Sequence, residues 1–158
     1  MRYCVGASHW RVDGPKPKET TNNMEGYIRE WYRQQLWLAT DERVTILGHP
    51  WYNGRGLWYE DFNLIPRSMN MEIAAAIRDN KKFVECNSGF LTSDKMTEKF
   101  RVQYIEFLRE LFEMGIRITY GSDSHHQYGD KHLIIEKYLS EVGFKEGDFS
   151  TLTEEDLW

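Results

Sequence analysis

The sequence has few cysteines and no long apolar run, and each shortage excludes a class of protein. Two cysteines among 158 residues, Cys4 and Cys86, cannot form a disulfide framework, and neither belongs to a CxxC pair. No apolar stretch approaches the roughly 18 residues that span a bilayer, and the start of the chain lacks the basic and apolar segments of a signal peptide. We therefore expect a cytoplasmic protein that does not enter membranes.

The chain also lacks a surplus of positive charge. Its 20 basic and 25 acidic side chains give a net charge of −5, which leaves little to neutralise a phosphate backbone. Nucleic acid is therefore not an expected partner. Hydrophobic residues make up 41% of the sequence, a share that excludes disorder and, at this length, predicts one domain over residues 1–158.

Hydrophobic patterning predicts four repeats of a strand followed by a helix. Short β-rich runs predict strands at 2–8, 44–48, 83–87 and 116–120. Apolar residues at helical spacing predict helices over 24–36, from about 73 to 80, from 97 to 115 and from 130 to 142. The stretch 51–68 has no clear period and is predicted to be a long loop. Strand–helix alternation of this kind is typical of parallel βαβ units in an α/β fold.

Histidines and an aspartate follow three of these strands. His9 follows the first, His49 follows the second, and Asp123 with His125 follows the fourth. The carboxyl ends of parallel strands meet at one edge, where α/β folds place reactive groups. Imidazole and carboxylate donors suit zinc, manganese or iron. The recurrence predicts a divalent metal site, whereas any single one of these histidines would more often be an ordinary hydrogen-bonded loop residue.

Four segments, each closing a strand, together carry a family resemblance. In chain order they read GASHW (6–10), LGHPW (47–51), VECNSG (84–89) and YGSDSHH (120–126). They resemble the polymerase and histidinol phosphatase (PHP) superfamily, in its histidinol-phosphatase-like branch, from about residue 3 to residue 144. The resemblance implies the C-terminal part of a distorted (βα)7 TIM-like barrel with four parallel βα units. It also implies a site of two or three metals that hydrolyses phosphate esters with a metal-activated water.

The resemblance also implies a role for each site residue. His9 and His49 are similar to partners on one metal, Asp123 to a ligand of a second and His125 to a ligand of a third. Asp123 and His125 are accordingly the expected catalytic residues. Glu85 and Asn87 share one face of a strand and match a motif that faces the barrel interior, where they would support the metal ligands. A polar network without catalytic duty is the alternative for this pair.

The chain departs from the family pattern in one large respect. It contains no HxH motif, and the strands that would carry that motif are absent. An α/β barrel typically needs about 250 residues, so we expect the missing part to precede Met1 or to belong to another subunit. A half barrel leaves two sheet edges and part of its inward face uncovered, which predicts self-association or poor solubility.

Two further features bear on the substrate. Arg55, in the NGRG loop after the second strand, is placed to grip a phosphate, although a surface arginine is equally compatible with the sequence. An aromatic cluster follows His49 and would either line a pocket for a flat substrate group or, as we favour, pack the long loop. Its members are Trp51, Tyr52, Trp58 and Tyr59.

The pattern as a whole predicts a metal-dependent phosphoesterase. The expected enzyme resembles histidinol phosphatase, uses divalent metal ions and hydrolyses a small phosphomonoester. The alternative is a truncated, non-catalytic remnant or interaction module, which the missing HxH motif favours.

Overall fold

The computed structural model describes residues 2–8, 24–52, 58–123 and 130–157. Within these ranges the strands are β1 (Val5–Gly6), β2 (Ile46–Leu47), β3 (Phe83–Asn87) and β4 (Arg117–Gly121). The helices are α1 (Met24–Thr40), α2 (Arg67–Asp79), α3 (Ser88–Leu91), α4 (Glu98–Glu113) and α5 (Lys131–Glu141). Short 3-10 turns lie at Phe62–Leu64, Glu146–Asp148 and Glu154–Asp156. None of the described helices is long and apolar enough to cross a bilayer.

The strands form one parallel sheet, as the strand–helix alternation predicts, and their order in this sheet is β1-β2-β3-β4. The predicted loop over residues 51–68 is wrong in its second half, which contains regular structure. A 3-10 turn covers Phe62–Leu64, and α2 begins at Arg67, directly after Pro66 at the N-cap. Proline is tolerated there because its missing N–H would have no helical partner. α2 then buries Asn70, Ile73, Ala74 and Ile77.

One face of the sheet packs against the helices. Leu47, Val84, Cys86 and Ile118 are fully buried in the same apolar core as the inward faces of α1, α2, α4 and α5. Alternate strand residues point to opposite faces, so these four side chains share the helix-covered side. This one-sided arrangement of four parallel strands is consistent with part of a TIM-like barrel.

The aromatic cluster that follows His49 packs the core. Trp51, Trp58 and Tyr59 are at most 2% exposed, which confirms the packing interpretation for these three. The indole N–H of Trp51 donates to Asn70 Oδ1 at 2.9 Å, and that of Trp58 donates to the Trp51 carbonyl at 3.1 Å. Both indole donors are therefore satisfied inside the core.

The outer edges of β4 and β1, the two outer strands of the sheet, differ in how far the chain covers them. Phe149 forms a parallel bridge with Ile118 on β4, and the Ser150 N–H donates to the Ile118 carbonyl at 2.7 Å. The C-terminal segment therefore runs along the outer edge of β4. At the other edge, Val5 on β1 and Tyr3, two residues before that strand, are 49% and 56% exposed, so apolar surface lies open there.

Candidate active site

The carboxyl ends of three neighbouring strands carry four of the residues singled out from the sequence. His49 lies two residues beyond β2, Glu85 and Asn87 are on β3, and Asp123 lies two residues beyond β4. Because β2, β3 and β4 are adjacent and parallel, these residues meet at one edge of the sheet. The other predicted site residues, His9, Arg55 and His125, lie outside the described residues.

A hydrogen-bonded chain connects the His49 loop to β3. The Glu85 carboxylate accepts, at Oε2, the backbone N–H of His49 at 3.0 Å and the side-chain amide of Asn87 at 3.1 Å. Asn87, only 1% exposed, accepts the Phe90 N–H at 2.8 Å and so caps α3. The half-buried Glu85 thus holds the backbone at a predicted metal ligand. These hydrogen bonds are compatible with both predictions for Glu85 and Asn87, a support for metal ligands and a polar network without catalytic duty.

Two glycines make room for this arrangement. A Cβ on Gly121 would lie 2.0 Å from Glu85 Oε1, so the carboxylate occupies the space that a side chain would need. A Cβ on Gly89 would lie 2.6 Å from the Ser122 carbonyl oxygen and 3.4 Å from the Asp123 Cβ. The loop that carries Asp123 therefore packs directly over Gly89. Sequence reasoning missed the role of both glycines, although both lie within the quoted motifs.

Backbone strain is found at both described metal-ligand candidates. His49 has φ +31° and Asp123 has φ +49°, conformations that non-glycine residues seldom adopt. Such strain often accompanies functional sites, where the surrounding contacts hold it in place. At His49 those contacts include the Glu85 carboxylate on its N–H and the Tyr52 ring, whose centroid lies 5.0 Å from that of the imidazole. His49 is 7% exposed, whereas Asp123 is exposed.

The side chains on the other face of β3 have no part in this site. Burial raises the pKa of the Cys86 thiol to about 12, with a smaller contribution from the Glu85 carboxylate. A thiol that stays protonated near neutral pH is neither a good nucleophile nor a good metal ligand. On α4, which belongs to the same core, burial also raises the pKa of the Tyr104 hydroxyl well above its usual value. Cys86 is therefore a small core residue, as expected from the sequence.

The side chains at this edge include groups of the kinds that bind divalent metals. His49 supplies an imidazole and Asp123 a carboxylate, the combination that zinc, manganese and iron accept. Glu85 Oε2 is already engaged by two donors, which makes this carboxylate a better support than ligand. Among the described residues, no group of three or more histidine, cysteine, aspartate or glutamate side chains is arranged to hold a metal ion. The described part of the chain thus contains two of the four predicted ligands.

Comparison with known proteins bears on the fold. No family model matches the sequence, and no curated protein matches it. Among solved structures, the chain is similar to a histidinol phosphate phosphatase from Lactococcus lactis crystallised with zinc, L-histidinol and phosphate. The TM-score is 0.53 and the sequence identity is 22%, over 79% of this chain and 49% of that one. The chain therefore shares the α/β fold of that protein and spans about half of its length.

Proposed function

We propose that residues 1–158 form the C-terminal part of a PHP domain and carry part of a metal-dependent phosphoesterase site. One observation carries this proposal. His49, Glu85 and Asp123 lie at the carboxyl ends of three adjacent parallel strands, at the edge where such folds place their chemistry. The fold similarity to a phosphatase bound to zinc and phosphate supports the same conclusion.

In this proposal His49 and Asp123, with His9 and His125, hold divalent zinc, manganese or iron. Such a metal, when bound, lowers the pKa of a water molecule and offsets negative charge on a phosphoryl group. The chain's own contribution is to place the donors. Glu85 fixes the backbone at His49 through its N–H, and Asn87 holds the Glu85 carboxylate in place.

The proposed substrate is a small phosphomonoester of the kind that histidinol phosphatases hydrolyse. The similar solved structure contains L-histidinol and phosphate, which supports this substrate class. Arg55, in the loop after His49, is the proposed contact for the phosphate. The net charge of −5 disfavours long nucleic acids as substrates, and the free thiols Cys4 and Cys86 favour a reducing, cytoplasmic compartment.

We further propose that additional strands, from a longer polypeptide or from another subunit, complete the site. The chain spans about half of the similar phosphatase, and Val5 on β1 and the preceding Tyr3 are exposed at the edge of the sheet. An additional strand on β1 would cover this apolar surface.

The test is metal-dependent phosphate release. The 158-residue chain, and the longer reading frame if one extends upstream, are loaded with manganese or zinc and assayed with L-histidinol phosphate. His49→Ala and Asp123→Asn should each lower kcat/KM by about 100-fold or more, whereas His132→Ala on α5 should leave it unchanged. Absence of metal-dependent release from both proteins, or full activity of His49→Ala, would show that the proposal is wrong.

A non-catalytic interaction module is the second candidate. The observation in its favour is that the sequence has no HxH motif. Metal analysis separates the two candidates, because tight stoichiometric zinc in the purified chain would contradict an inert module.

A further inference from the structure

A cavity of about 320 Å³ lies at the amino ends of β3 and β4, opposite the candidate active site. It is bounded by the end of α2, the starts of both strands and the C-terminal segment. Four basic side chains line it, together with two acidic ones, in a protein whose net charge is −5. These six residues are Arg78, Lys81, Lys82, Arg117, Glu155 and Asp156.

Two of the cations are fixed in the cavity wall. Lys82 is 9% exposed and donates from Nζ to the carbonyls of Asp41 at 2.8 Å and Val44 at 2.6 Å. The Arg117 guanidinium lies 3.8 Å from the centroid of the Phe83 ring and donates from Nη2 to the Lys81 carbonyl at 2.7 Å. The carbonyls and the ring do not neutralise this positive charge, because they carry no net charge; Arg117 has in addition an ion pair with Asp156.

The other two cations are available to a ligand. Lys81 makes no ion pair with any other described residue. Arg78 pairs at 3.0 Å with Asp79, but both side chains are about half exposed, and surface pairs of this kind contribute little. Gly115 adds free space, since a Cβ there would meet nothing within 4 Å.

Of the two acidic side chains that line the cavity, Glu155 and Asp156, the second is bound to one of the lining cations. The Asp156 carboxylate pairs with Arg117 and is only 9% exposed. It also accepts the N–H and the hydroxyl of Thr153, each at 2.9 Å. The Thr153 N–H and the Arg117 guanidinium lower the pKa of Asp156, so the carboxylate is charged near neutral pH. Arg117 is therefore placed to bind an acidic oxygen that enters the cavity.

We propose that this cavity binds a small dianion with a phosphoryl group, with Arg78, Lys81 and Arg117 as its contacts and Asp156 as a built-in competitor. An arginine fork and a lysine ammonium suit the oxygens of such a group. The Asp156 carboxylate sits where one of those oxygens would bind, so the acidic C-terminal turn weakens binding. This proposal does not depend on the phosphoesterase activity.

The experiment is a calorimetric titration with inorganic phosphate and, separately, with glycerol phosphate, in the presence of a metal chelator. Arg78→Gln and Lys81→Gln should each weaken binding about tenfold, because each removes a cation that faces the ligand. Asp156→Asn should tighten binding about tenfold, because it removes a negative charge next to the ligand. Glu154→Gln, in the same turn but outside the cavity lining, is the matched control and should change nothing.

Tighter binding of inorganic phosphate supports a free phosphate ligand, and tighter binding of glycerol phosphate supports a phosphate ester. Binding that is absent, or that Lys81→Gln leaves unchanged, overturns the proposal. Unchanged affinity in a folded Asp156→Asn protein also overturns it, since Asp156 would then be a structural contact alone. If circular dichroism shows that this variant does not fold, Arg78→Gln and Lys81→Gln decide the question.

Discussion

Replacing Gly121 by alanine tests whether the Glu85 carboxylate holds the candidate site together. The added Cβ would lie 2.0 Å from Glu85 Oε1, 2.8 Å from Cδ and 3.0 Å from Cγ. The backbone at 121 cannot easily retreat, because β4 is paired with β3 along five residues. The Glu85 side chain must therefore swing away and lose the donors from His49 and Asn87.

The size of the effect follows from those two bonds. A hydrogen bond to a charged group contributes about 1.5–3 kcal/mol. Glu85 is half-buried, so its displaced carboxylate regains some water and part of the loss is offset. We expect Gly121→Ala to lower the free energy of unfolding by about 1–3 kcal/mol. For a chain of this length that corresponds to a fall of roughly 2–12 °C in Tm.

Urea denaturation measures this difference in the free energy of unfolding, and a double-mutant cycle assigns its cause. Glu85→Ala removes the atoms with which the new methyl group clashes. Adding Gly121→Ala to Glu85→Ala should therefore cost much less than adding it to the native chain. Gly147→Ala is the matched control, because a Cβ there meets nothing within 4 Å.

Two results would contradict this role of the Glu85 carboxylate. Unchanged stability of Gly121→Ala would mean that the Glu85 carboxylate does not lie against Gly121. Strict additivity in the cycle would mean that the methyl group clashes with something other than Glu85.

Two further predictions concern thiol reactivity and acid stability. In the native protein a thiol reagent should modify the half-buried Cys4 and leave the buried Cys86 unmodified, whereas in urea it should modify both. Rapid labelling of two thiols in the native protein would contradict the burial of Cys86. The pKa of Asp156 is lowered in the folded state, so its contribution to stability is present above the ordinary aspartate pKa of about 4 and is lost as the pH falls through the lowered value. The urea midpoint of the native chain should therefore differ from that of Asp156→Asn at pH 7, and this difference should shrink as the pH falls below about 4. An equal difference at pH 7 and pH 3 would rule out this linkage.

The elements most accurately predicted from the sequence are those whose side chains have a clear period. The α4 stripe and its Thr97 N-cap are found in the structure, where the Thr97 hydroxyl accepts the Phe100 N–H at 3.2 Å. The start of α2 was missed because the aromatic residues before it have no period, and Pro66 alone does not reveal a helix start. β1 and β2 are shorter than predicted, since their regular pairing covers only two residues each.

By itself, the sequence determined the α/β alternation, the parallel direction of the strands and the polar residues that follow them, because these depend on local period and on short connections. Only the tertiary structure decided how those residues support one another. The Glu85 carboxylate binds the His49 backbone 36 residues away, and Arg117 pairs with Asp156 39 residues away. Contacts over such separations depend on strand register and helix packing, which leave no periodic trace in the sequence. For the same reason, neither the need for Gly121 nor the basic cavity at the far end of the sheet could be foreseen.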